Sequence, residues 1–154
     1  MVLSKRTETQ ETSQPEVMTD AIAFANKAKE ALAGLAGMYR EQLDRDIPAM
    51  QDFLKKARKV TAEERYHLIR DEFFVKVHDM KGQGATFDYP LLTDLGQYTC
   101  DFLRNKSEVT VQDLDVLDKL MSDMEKVYQD RVTGLGGVFG EKIRVRLAQR
   151  AYEQ

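Results

Sequence analysis

Imidazole chemistry in this chain has two possible seats, because the 154 residues hold two histidines, His67 and His78. Imidazole can act as a neutral nucleophile or proton acceptor near pH 7. His67 stands among Glu64, Arg70 and Asp71, the ordinary charged company of a solvated helix face. His78 is different: Lys81 and Gly82 follow it by three and four residues, and Val75 and Phe74 precede it by the same intervals. On a helix those four positions surround it. Lys81 brings a positive charge beside the imidazole, and Gly82 leaves space over which another group can approach. Glycine is unfavourable inside a helix, so Gly82 and Gly84 each ask for a reason. Phe74, Val75 and Ala85 add a modest apolar docking surface. A lone exposed histidine is ordinarily just a surface residue; the grouping singles out His78.

Such a cluster must be carried by a helix, and the pattern supplies one. Thr61-Ala-Glu-Glu64 reads as a capping box that opens a helix running to about Phe87. At about 100° per residue, Tyr66, Ile69, Phe73, Val77, Met80, Gly84 and Phe87 fall on one core-facing stripe. His78 lies nearly opposite, and His67, eleven residues earlier, falls on the same exposed side. The two histidines are ~16 Å apart along such a helix and do not chelate one metal ion. No other ligand cluster is evident, so no metal site is expected.

The remaining elements are helical as well. Residues 1–18 are polar, without apolar period, and read as a flexible tail. From Thr19, Ile22, Ala25, Leu32, Leu35, Tyr39 and Leu43 mark an amphipathic helix, with Gly34 and Gly37 in its middle. It is expected to end near Asp46, with Pro48 opening a separate short helix through Met50, Phe53, Leu54 and Ala57. Pro90 to Arg104 is the next helix. Thr110 caps another, which carries Leu114, Leu117, Leu120, Met121, Met124, Val127 and Tyr128. Gly134, Gly136 and Gly137 form a linker to a short basic helix from Val138 to Tyr152. No stretch alternates as a half-buried strand does. Short connections imply antiparallel neighbours. The expected fold is all-α: an antiparallel up-down four-helix bundle over residues 19–133, with an additional N-terminal helix and the short C-terminal helix of 134–154.

Composition narrows the function classes. Twenty-three basic and 26 acidic residues give a net charge of −3, and the pI is near 5.5. That balance offers no electrostatic case for nucleic acid. No apolar run approaches the ~20 residues of a membrane span, and the N-terminus lacks the apolar core of a signal peptide. The single cysteine, Cys100, forms no internal disulfide and fits the cytoplasm. No Walker-type phosphate loop is present; Gly134-Leu-Gly-Gly137 lacks a preceding strand.

The run His78-Asp-Met-Lys81-Gly82-Gln-Gly84-Ala85-Thr-Phe87 resembles the signature of histidine-containing phosphotransfer (HPt) domains, H-x-hydrophobic-K-G-small-small-x-x-hydrophobic, on a long helix of a four-helix bundle. Met80, Lys81, Gly82 and Phe87 match it. Gln83 stands where the family usually has a small residue, and Asp88 where it often has glycine. The motif covers about ten residues, and the helical layout extends the resemblance over roughly residues 48–132.

The resemblance implies a function. His78 would accept a phosphoryl group from the aspartate of a receiver domain and pass it to another receiver. The partners implied are receiver domains of hybrid histidine kinases and of response regulators. Such transfer needs in-line positioning and neutralisation of oxygen charge. Lys81 would supply one positive charge and Gly82 the clearance, with Phe74, Val75, Gln83, Ala85 and Asp71 as the partner-binding surface. No cofactor is expected on this chain, the magnesium belonging to the receiver. The protein would be a stoichiometric carrier in the cytoplasm, not an autonomous catalyst. The alternative is a helical adaptor that binds a receiver or other signalling protein through the same patch without being phosphorylated.

Overall fold

The computed structural model describes residues 14–154, which are helical with no strand among them. The helices are α1 (Gln14–Ala57), α2 (Ala62–His67), α3 (Phe74–Gly84), α4 (Pro90–Arg104), α5 (Val111–Gln129) and α6 (Gly137–Ala148). A π-helical turn, Leu68–Phe73, joins α2 to α3, and single 3-10 turns occupy Ala85–Phe87 and Ala151–Glu153. The polar tail expected over residues 1–18 lies outside the described residues as far as residue 13. From Gln14 onward the chain is already helical. No helix among the described residues is long and apolar enough to cross a membrane.

Local chemistry sets most helix ends. Thr61 accepts from the Glu64 amide at 3.2 Å while the Glu64 carboxylate accepts from the Thr61 amide at 3.3 Å. Thr110 and Asp113 repeat the arrangement at the start of α5, at 3.1 and 2.9 Å. Each box satisfies two amides that a helix start leaves without partners. Pro90 occupies the first turn of α4, where its missing N–H costs nothing. Asp88, just before, takes a left-handed conformation (φ 66°) and turns the chain from α3 to α4.

The described residues divide into two units, one ending at Met38 and the other Tyr39–Gln154. In the first, residues 15–35 of α1 are exposed throughout. In the second, one core gathers Tyr39, Leu43, Met50 and Leu54 from α1 with Ile69, Phe73, Val77 and Met80, Leu92 and Leu95 from α4, and Leu117 and Met124 from α5. Ile143 of α6 and Tyr152 join it. α3 packs against α4, and α5 and α6 also pack on α4.

Pro48 does not end a helix. It sits inside α1, exposed, with Ile47 and Met50 buried on either side of it. A proline in a helix interior costs about 3 kcal/mol. Leu43, Ile47, Met50 and Leu54 are all buried in one core, and each such side chain contributes about 1.5–3 kcal/mol. Their burial outweighs the lost bond and keeps the helix continuous.

The helix expected from Thr61 to Phe87 is also modified. Its stripe is buried as expected at Ile69, Phe73, Val77, Met80 and Gly84, with Tyr66 and Phe87 packed against the core. The Phe74 amide, however, bonds back to the Ile69 carbonyl, five residues away. That extra residue rotates everything before it by about 100° relative to α3. His67 is exposed but no longer shares one line with His78.

Candidate functional site

His78 lies exposed in the middle of α3, opposite the buried Val77–Met80–Gly84 side. Its ring stacks on Phe74 one turn earlier, with centroids 6.3 Å apart and planes 28° apart. Phe74 is half-buried and packs against the core, so it is a supporting surface more than a free one. On the same phenyl ring lies the Arg70 guanidinium, 5.1 Å from the centroid. Arg70 also donates to the Leu103 carbonyl of α4 at 2.9 Å, which pins the π turn to the end of that helix. No hydrogen bond engages the His78 ring among the described residues, so both nitrogens are open to an incoming group.

Lys81 is half-buried between α3 and α4, and its ammonium donates to Gln97 Oε1 at 3.0 Å. Gln97 in turn donates to Asp101 at 2.9 Å. No carboxylate pairs directly with Lys81 among the described residues; its ammonium is held by a neutral amide, with the Asp101 carboxylate one hydrogen bond further on. A cation in that state one turn from an imidazole suits an oxyanion.

Two glycines on α3 serve different ends. A side-chain carbon at Gly82 would meet nothing within 4 Å, so the surface beside His78 is open. At Gly84 it would lie 2.6 Å from Thr93 Oγ1 and 2.8 Å from the Tyr89 carbonyl, so Gly84 is the close approach of α3 to the start of α4. Gly82→Ala is therefore expected to leave the fold intact and to stabilise it by up to about 1 kcal/mol, the helix-propensity gain. A thermal melt checks this.

The seam behind the site comes from α4. Thr93 accepts from the Ala85 amide at 2.9 Å and donates to the Lys81 carbonyl at 3.0 Å, binding the last turn of α3. Gly96 lets the Lys81 backbone approach: a side-chain carbon there would lie 2.6 Å from Lys81 Cβ. From α1, Tyr39 donates to the Met80 carbonyl at 3.0 Å, and burial raises its phenol well above the ordinary range. Lys76 pairs with Asp46 at 3.0 Å. These contacts fix α3 from two sides while leaving His78 free.

The other expected site residues divide. Val75, half its surface exposed, flanks His78 as expected. Ala85 is exposed two turns on, where the helix tightens into a 3-10 turn. Gln83 is exposed but projects about 140° around the helix from His78, and makes no hydrogen bond to the imidazole. Asp71 faces His67 instead, their side chains 3.3 Å apart. Arg70, Thr93, Gly96 and Gln97 were missed. Gly96 carried the same signal as Gly84, a glycine inside an amphipathic helix. Thr93 and Gln97 act across helices and leave no local trace, whereas Arg70 stands four residues before Phe74, the spacing of side-chain neighbours on a helix. Among the described residues no group of histidine, cysteine and carboxylate side chains is placed to hold a metal. Cys100 is buried, and burial pushes its thiol up.

No family model, curated protein or solved structure matches the chain.

Proposed function

We propose that this chain is a histidine phosphotransfer protein that carries a phosphoryl group on His78 between receiver-domain aspartates. The observation that carries the reading is the setting of His78: an exposed, unbonded imidazole ringed by Phe74, Val75, a Lys81 held only by a neutral amide and the open Gly82. The reading includes the finer architecture. Residues 39–57 of α1, the α2–α3 rod, α4 and α5 make an antiparallel up-down four-helix bundle, with the first part of α1 and the short α6 as additions. A cytoplasmic place of action goes with it, and the unpaired, buried Cys100 is in keeping with that.

The chemistry follows from the residues. A ring nitrogen of the neutral imidazole attacks the phosphorus of an aspartyl phosphate in line. The P–N bond forms as the P–O bond to the aspartate breaks, and the carboxylate leaves. The enzyme-like contribution is positioning and charge neutralisation. Rotation of Lys81 away from Gln97 brings its ammonium to the transferred oxygens. The partner's loops settle over Gly82 and against Val75, while Phe74 holds the ring in one orientation. Lys81→Ala is expected to slow transfer while changing stability by no more than about 1 kcal/mol, since one half-exposed hydrogen bond is lost. Stopped mixing with a phosphorylated receiver, beside a urea titration, separates the two effects.

The test of the function is uptake itself. Incubated with a phosphorylated receiver, the protein should acquire an acid-labile, base-stable phosphoryl group. Binding of receivers without any labelling would favour the adaptor instead.

A further inference from the structure

We propose that two copies of this chain pair antiparallel through residues 15–38, the exposed first part of α1. This inference is independent of the phosphotransfer reading. Met18, Ile22, Phe24, Leu32, Leu35 and Met38 are each between 51% and 76% exposed. With Val17, they present on the order of 900 Å² of apolar side chain spread over about 200° of the helix circumference, with Met18, Leu32 and Leu35 on one line along it.

The charges point away from a lipid surface. Residues 15–38 hold Glu16, Asp20 and Glu30 against Lys27 and Lys29, so no basic excess draws the helix to anionic headgroups. The register fits a second copy. At helical spacing Met18, Ala21, Ala25, Ala28, Leu32 and Leu35 form one seam. In a parallel pair each position would meet itself, which stacks three all-alanine layers and leaves a gap beside two leucine layers. An antiparallel pair meshes the tiers instead. Met18 lies against the partner's Leu35, Ala21 against the partner's Leu32, and Ala25 against the partner's Ala28 at the crossing. Opposed helix dipoles favour the same direction.

Sedimentation velocity on the full chain, from low to high micromolar concentration, tests the pairing. The expected species has twice the 17.7 kDa chain mass. The double variant Leu32→Glu, Leu35→Glu should sediment as a single chain with unchanged helical circular dichroism, because both positions are exposed. Spin labels give the direction. Labels on Asn26→Cys should lie close together, whereas labels on Glu16→Cys should be separated by about 30 Å along the axis. A monomer at every concentration would overturn the proposal, as would a dimer that survives the double variant. So would short separations at both labelled positions, or binding of the monomer to anionic vesicles through this segment.

Discussion

His78→Gln is expected to reduce phosphoryl uptake from a phosphorylated receiver to background while the protein stays folded. The amide keeps a polar side chain of similar reach and removes the nucleophile. Little else depends on the ring. His78 is exposed, engages in no hydrogen bond among the described residues and stacks only on Phe74. Changes at such positions ordinarily move stability by no more than about 0.5 kcal/mol. A urea titration of the variant should therefore overlay that of the wild type. The matching variant His67→Gln should leave uptake unchanged, because His67 lies behind the π turn and faces Asp71. Uptake that survives His78→Gln would remove the site from this helix face.

The second large effect is expected at a residue that touches no partner. Gly96→Ala should destabilise the fold by about 1–3 kcal/mol, the usual cost of forcing extra volume into a packed contact. The added carbon would lie 2.6 Å from Lys81 Cβ and 3.4 Å from its Cα. Neither is the far end of a flexible side chain, so α3 and α4 must separate there. That separation moves Lys81 relative to His78 and loosens the Thr93 bonds on the last turn of α3. Transfer should slow together with the loss of stability. The contrast with Gly82→Ala is the informative part. Both substitutions put a methyl group for a hydrogen in a helix near the same lysine, yet one meets packed atoms and the other open space. Urea titration of the two variants should move the midpoint in opposite directions.

What was legible in the sequence was whatever is decided within a few residues. The capping pairs Thr61–Glu64 and Thr110–Asp113, the entry of α4 at Pro90, and the buried stripe from Ile69 to Gly84 all follow from local hydrogen bonding or helical spacing. Pro48 misled because its local cost is real, and only burial of Leu43, Ile47, Met50 and Leu54 in one core overrides it. The π turn was invisible because Ile69 and Phe73, four residues apart, are compatible with either helix type. At the site, His78 and its ring of Phe74, Val75, Lys81 and Gly82 were legible because they share one helix. Gln97 and Thr93 reach the site from sixteen and eight residues away along the chain. Arg70 is pinned by the Leu103 carbonyl, thirty-three residues away along the chain. Such contacts belong to the packed molecule.

The central claim is that one imidazole of the two carries the phosphoryl group, and trypsin separates them. Cleavage after Arg65 and Arg70 releases His67 in the peptide Tyr66–Arg70, and cleavage after Lys76 and Lys81 releases His78 in Val77–Lys81. Protein charged by a phosphorylated receiver, digested at alkaline pH and analysed by tandem mass spectrometry, should carry the added phosphoryl group on Val77–Lys81 alone. A phosphoryl group on Tyr66–Arg70, or none on any peptide of a chain that binds the receiver, would contradict the account.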